Sequence, residues 1–470
     1  MSETGIVLRG GSASAQFLAA LHGAQAAFPD ALGSITLPQD TARFRSAYPE
    51  LLPRFEALRQ AAPQRTRIAQ HLYDAGQASC THSGQPLHEA LGAAAAPLPV
   101  SARPAGASLP VQLAVTRSGE ALQGGRLRDW VHSLHATHKL TDDVLGAFSW
   151  LSDTFADAPI TLEGRKVVIF GAGAVLAPTE LLLRTGADVL WIDRADPGPV
   201  RGHGRLHVAQ GADLLASPAR IRETVLAFSG GDPVDLCLYA YAPGQGREWR
   251  LTAAMNAIVD TLPAALVRTV SMFVSPAIPT RLTPRELTAA RERRAGQPLW
   301  QAAMSRLGLL GRGDGHVEVN GVAISRAVIS MQGVSYQASQ YLGKVLAAEA
   351  WNTRAASPLH VSANTAAISA TPSMDKPMFR IAFRGAVSFG IDIFAPETTR
   401  GLNGLLMLRD WLDPAAAGNP SRPAATSRAR AEGLSRLRVH GGAHGMPHPA
   451  EQTLRMSGVV GLAQSALPWR

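Results

Sequence analysis

The chain has 470 residues, long enough for roughly two to four domains and at least one large core. Apolar residues make up 46% and charged residues 17%, which excludes a disordered or collagen-like chain. The net charge of +9 comes from arginine, since the only lysines are Lys139, Lys166, Lys344 and Lys376. The arginines are scattered and form no basic block interleaved with aromatics, so a nucleic-acid partner is not expected. A compositional bias explains the charge, and an anionic substrate or carrier is the next reading. No apolar run reaches the about eighteen residues of a membrane span. Met1–Gly5 lacks a signal-peptide pattern. Two cysteines, Cys80 and Cys237, cannot build a disulfide framework or a four-cysteine zinc site. A cytoplasmic protein in a reducing compartment is expected.

Residues 1–160 read as a helix-rich region, a cap or an interface. Segment 13–27 is rich in helix formers, and 40–61 has helical spacing with a break expected near Pro53. The Pro/Ala stretch 94–110 reads as a connector. A short strand at 111–116 and helices at 126–138 and 141–155 follow, the last opening on Thr141-Asp142-Asp143 as a cap. From 162 to about 412 strands and helices alternate, as a parallel sheet with crossover helices requires. Residues 413–432 are Pro/Ala/Arg-rich and read as a flexible linker. The apolar end of 433–470 is expected to dock on the body.

The sharpest local pattern lies in 162–194. Val167–Phe170 is a buried-strand run, and Gly171-Ala172-Gly173 a tight turn. A helix is predicted from about Val175 to Arg184, stopped by Gly186. The second strand, Val189–Ile192, ends at Asp193-Arg194. Backbone N–H groups and a helix dipole at such a turn favour a pyrophosphate, which makes Gly171, Gly173, Ala174 and Val175 candidate cofactor contacts. Asp193 lies twenty positions beyond Gly173, where a ribose hydroxyl needs an acceptor. The glycine pattern is incomplete, with Val175 and Leu176 where further glycines often lie. Asp193 favours NAD, whereas Arg194 would pair the 2′-phosphate of NADP; both stay open, with NAD preferred. A βαβ unit without a dinucleotide is the competing reading.

Residues 211–244 resemble the short-chain dehydrogenase/reductase superfamily. Asp213-Leu214 matches the pair after the third strand that, in the family, contacts adenine. Pro233–Gly244 stands where the fourth strand and its Asn-Asn-Ala-Gly would be. That tetrad is absent, and Ala240-Tyr241 looks more like the strand end of enoyl-thioester reductases within the superfamily. Asn256 matches the helix-four asparagine. Residues 268–276 resemble the fifth strand, with Ser275 at the catalytic serine position and Ser271 as a weaker match. The resemblance implies Tyr336 as the catalytic tyrosine. It follows an insertion, 277–325, read as a substrate lid with a helical part (284–309) and a hairpin turning at Asn320-Gly321. An alternative register makes 327–333 the fifth strand and Ser330 the hydroxyl.

Such chemistry needs a phenol as acid or base, a cation that favours the phenolate and a hydroxyl that orients the substrate oxygen. The usual Tyr-x-x-x-Lys is broken, because Gln340 holds the lysine position. Lys344, eight residues after Tyr336 and about two helical turns on, is the substitute. Tyr341 is an alternative phenol, with core packing as its plainer role. Residues 359–374 resemble the sixth strand and the nicotinamide loop without its Pro-Gly pair, which implies Ser369 and Thr371 as carboxamide contacts. Residues 395–412 resemble the final helix, so the likeness covers about 162–412.

His132, His135 and His138 recur every three residues, which on a helix faces one metal only loosely; they read as a polar face. His440, His444 and His448 read as solvated in a Gly/Pro-rich tail. Asp74, Cys80 and His82 read as structural rather than nucleophilic. No metal site is expected.

These observations lead to an α/β fold: a doubly wound Rossmann-type parallel sheet with a helix-rich N-terminal extension. Its expected parts are 1–160, a dehydrogenase-like 161–412 with the lid 277–325, and a linker and tail at 413–470. The expected activity is that of an NAD(P)-dependent oxidoreductase acting on a carbonyl or conjugated carbonyl of a bulky hydrophobic small molecule, such as an acyl thioester. Tyr336, Lys344, Ser275 and Asn256 form its catalytic set, in a homo-oligomer without a membrane span. A lyase, dehydratase or isomerase on the same scaffold, with NAD retained or absent, and a non-catalytic binding protein are the alternatives.

Overall fold

The computed structural model describes residues 5–104, 111–422, 426–434 and 436–466. Parts of the expected connector (105–110), linker (423–425) and terminal apolar segment (467–470) lie outside the described residues.

The central feature is a seven-stranded sheet. In chain order its strands are β1 (Val100–Pro104), β2 (Lys166–Phe170), β3 (Asp188–Ile192), β4 (Arg205–Ala209), β5 (Val234–Leu238), β6 (Val267–Val274) and β7 (Val361–Thr365). They lie in the order β7-β6-β5-β2-β3-β4-β1. β2 to β7 are parallel, and β1 runs antiparallel to β4. Among the parallel strands the order is third, second, first, fourth, fifth, sixth, the doubly wound arrangement whose ligand crevice lies beyond the carboxyl ends near the first strand. The sixth-strand and fifth-strand expectations fall on β7 and β6. The alternative register does not hold: Ser330–Gln332 is a single 3-10 turn, and Ser330 hydrogen-bonds Glu451 away from the sheet.

Alternating strand residues divide between two apolar layers, as the period-two pleat dictates. Val168, Phe170, Leu190, Ile192, Leu236 and Leu238 face one layer. Helices α1 (Ala13–Ala27), α2 (Thr41–Ala61) and α3 (Arg65–Ala78) pack there. Val167, Ile169, Val189, Trp191 and Cys237 face the other, under helices 124–136 and 142–154. The N-terminal region therefore lines both faces of the sheet and supplies its antiparallel edge. β1 falls in the stretch read as a connector, because five residues ending in proline carry no alternating pattern. α2 is continuous where a break was expected; its Pro49 and Pro53 are buried within it.

Three further expectations need correction. The helix after the glycine turn, α4, covers only Thr179–Arg184, because Pro178 caps it and residues 171–177 form successive turns. The stretch 413–422 folds against the body: Ala416 and Asn419 are buried, and Asn419 Nδ2 donates to Trp411 O at 3.0 Å. The tail is buried rather than solvated, with His440, His444 and His448 at most 1% exposed. Its segment 437–439 lies along β7, where Thr365 N donates to Leu437 O and Val439 N to Thr365 O, both at 3.0 Å.

In the insertion, Asn320 (φ 48°) and Gly321 (φ 76°) form the expected turn with two positive φ values. The hairpin is fixed rather than free, since Val322 and Ile324 pack with Ala57 of α2.

Candidate functional site

The carboxyl ends of β2, β5 and β6 converge on one corner. Gly171 (φ 78°) closes β2 against β5; a Cβ there would lie 2.3 Å from Ala240 Cα, so only glycine fits. Asp193 at the end of β3 leans over this turn and accepts from Gly173 N at 2.9 Å and from Ala195 N at 3.0 Å. Arg194 pairs with Asp213 at 3.4 Å, so two expected cofactor contacts meet each other. Leu214 is buried, and Val175 is 40% exposed.

Because α4 is six residues long and starts late, no helix N-terminus follows Gly173 directly. A positive charge stands there instead. Arg400, in helix α11 (Pro396–Leu412), donates to Val175 O at 3.0 Å. Sequence reasoning missed Arg400 because it lies 225 residues from the turn it touches. The turn thus has the Asp193 carboxylate on one side and the Arg400 guanidinium on the other.

At the end of β6 stand Ser275, Tyr336 and Lys344. Helix α8 (Val334–Gln340) carries Tyr336, whose phenol lies beside Ser275. Burial pushes the Tyr336 phenol up to about 12, against the opposing effect of Ser275. The ring meets Tyr241 edge-on, with centroids 6.2 Å apart, so Tyr241 at the end of β5 flanks the phenol. Ser275 Oγ accepts from Ala277 N at 3.1 Å. Gln340 serves the serine rather than the phenol. Its Oε1 accepts from Ser275 N at 3.0 Å and fixes the backbone that carries the serine.

α8 runs into a π-turn, Tyr341–Leu346, before helix α9 (Ala347–Thr353). Lys344 sits in that turn, and its Nζ donates to Phe273 O at 2.7 Å. Burial lowers its pKa to about 8. The lysine thus anchors the strand two residues before Ser275. The π-turn fits because Gly343 lies against helix α5 (Arg247–Thr261), where a Cβ would come 2.5 Å from Thr252 Cγ2. Asn256, expected in the catalytic set, is fully buried on α5 and donates to Gly343 O at 2.8 Å. It supports the π-turn from behind rather than facing the crevice.

Tyr341 points the other way, into the core, and donates to Glu56 Oε2 at 2.5 Å. Glu56, Arg59, Arg65 and Glu349 form a buried ion network around it, with Arg59 bridging to Glu349 at 3.0 Å. Ser369 is buried and shares a hydrogen bond with Thr399 at 2.6 Å, so its hydroxyl is directed at α11. Thr371 is half-buried at the start of the following loop. Ser271 accepts from Trp411 Nε1 at 3.0 Å, inside the layer under α11.

The three histidines at 132–138 do not share a helix: the element ends at Ala136, and His138 has φ 55°. His135 pairs with Asp142 at 2.6 Å. Cys80 is a buried thiol pushed up to about 12 by burial, the opposite of an activated nucleophile. No described helix is long and apolar enough to cross a membrane.

No family model matches the chain, and no curated protein does. Among solved structures the chain is similar to a short-chain dehydrogenase/reductase, a glucose/ribitol dehydrogenase from Brucella melitensis. The identity is 13% and the TM-score 0.35, over 60% of this chain and 98% of that one. The strand order, rather than this distant likeness, defines the fold.

Proposed function

We propose that this chain is an NAD(P)-dependent oxidoreductase, with NAD preferred, that acts on a carbonyl or conjugated carbonyl of a hydrophobic small molecule. The observation that carries the reading is the placing of Tyr336 beside Ser275 at the carboxyl end of β6, two strands from the glycine turn that ends β2. When bound, a nicotinamide supplies hydride chemistry at the substrate carbon.

Asp193 would hold the ribose, and Arg400 the pyrophosphate. Ser275 orients the substrate oxygen and Tyr336 exchanges a proton with it. With its pKa pushed up to about 12, the phenol keeps its proton at neutral pH. Lys344 and Gln340 hold the β6 end, through Phe273 O and Ser275 N, so that the serine stays in register with the phenol. Several large apolar side chains are exposed on the insertion and on the segment after β7. They include Leu299 and Trp300 on helix α7 (Leu299–Arg306) and Met378 on helix α10 (Pro377–Ala386), which follows the loop after β7.

The test is titration of the purified protein with NADH and NADPH, read by tryptophan fluorescence, together with mass spectrometry of the denatured supernatant. Trp191 is the natural reporter, since its ring lies against Gly173. Saturable quenching or released nicotinamide supports the reading, and a carbonyl and enoyl substrate screen then follows. A folded protein that neither binds nor carries either nucleotide refutes it and leaves a cofactor-free enzyme or a binding protein.

A further inference from the structure

We propose that Glu286, His440 and His444 form a binding site for one zinc-class divalent cation, which ties the insertion to the C-terminal segment. Glu286 lies in the first turn of helix α6 (Pro284–Ala295), and the two histidines come from the tail more than 150 residues later. All three are buried, the histidines fully.

Their geometry suits a common metal. Glu286 Oε1 is 3.2 Å from His440 Nε2 and 3.7 Å from His444 Nδ1, and the three candidate ligand atoms lie within 4.8 Å of one another. Ligands about 2.0–2.1 Å from a tetrahedral zinc stand roughly 3.3 Å apart. Both ring nitrogens are buried, and each has Glu286 Oε1 as its facing polar atom.

The hydrogen bonds around the three residues are those of a ligand's surroundings. His444 Nε2 lies 3.0 Å from Pro276 O. A carbonyl only accepts, so Nε2 carries the proton and Nδ1 presents a lone pair. That lone pair faces a carboxylate oxygen, two acceptors with nothing positive between them. Glu286 Oε2 is held by Thr283 N at 2.7 Å and by Arg438, whose Nε also reaches Oε1 at 3.4 Å, and Oε1 faces the imidazoles. Ligands braced in this way by carbonyls and donors are the rule at metal sites.

Two features limit the affinity. Gly442 N donates to His440 Nδ1 at 3.1 Å, so loading must move the ring proton from Nε2 to Nδ1 and break that contact. Arg438 adds a positive charge beside Glu286. Three protein ligands leave a fourth position for water.

The test uses the full chain stripped with a strong chelator and then titrated with Co2+ and Zn2+. Visible absorption of the cobalt form, metal content after desalting and thermal unfolding are the readouts. His440→Gln, His444→Gln and Glu286→Gln serve as variants, each checked for folding by circular dichroism. One equivalent per chain is expected, with a raised unfolding temperature and affinity at least 10-fold weaker in each folded variant. Absence of stoichiometric binding by the wild type overturns the proposal, whatever the variants do. Equal cobalt uptake by a folded triple variant also overturns it, because the other histidines would then account for the metal.

Discussion

Two tyrosines five residues apart on one helical run have opposite fates. Tyr341 is sealed in the core and donates to Glu56 within a cluster of two arginines and two glutamates. Tyr336 stands half-buried at a sheet end with a serine for a partner. Burial raises both phenols, yet only Tyr336 stands near the carboxyl end of β6. A raised phenol pKa does not by itself mark a site; what faces the hydroxyl decides.

The largest expected effect breaks the core side of this pair. Glu349→Ala leaves Arg59 and Arg65 without their shared carboxylate. It should cost about 3–5 kcal/mol, read as a lower urea midpoint. An unchanged midpoint would show the network to be expendable. On the other side, Tyr336→Phe should reduce turnover by about 10²- to 10⁴-fold while nucleotide affinity and stability stay nearly constant. Full activity in that variant removes Tyr336 from the mechanism. Tyr341→Phe should do the reverse, with activity retained and stability lowered by about 1–3 kcal/mol. Gln340→Lys sharpens the contrast, because it restores the usual spacing but removes the acceptor for Ser275 N. We expect lower turnover, and a gain would mean that the lysine matters more than the backbone anchor.

The smallest effect is a pH slope. Lys344 titrates near 8 in the folded chain, below its ordinary value of 10.5. Between those values the unfolded chain binds more protons, so stability should rise with pH across this window. The penalty for burying the charged lysine is complete below pH 8. Lys344→Met should flatten the rise in urea titrations from pH 7.5 to 10.5 (a window taken about those two values). An identical slope in both proteins would mean that the lysine is solvated.

The start of the parallel sheet was legible because β2 and β3 are apolar runs between turn residues, and Asn320-Gly321 announces its own hairpin. What escaped depends on contacts between distant segments. β1 has no alternation and becomes a strand only by pairing with β4. Arg400, the role of Gln340 and the burial of His440 and His444 arise from partners dozens to hundreds of residues away, to which local periodicity is blind. The short α4 follows from Pro178, whose effect on the helix start was readable but was outweighed by the expected glycine-turn pattern.

The sheet's outer strands carry one last consequence. β4 is covered along its length by antiparallel β1, and β7 is capped at its last residue, Thr365, by the segment 437–439. The covering strand β1 contains Arg103 and ends at Pro104, features that discourage another chain from adding to it. Both guards come from outside the βα succession, one from each end of the polypeptide. A fragment trimmed to 161–412 would lose both at once, together with the helices that cover the faces of the sheet, and light scattering should show it assembling where the full chain stays dispersed.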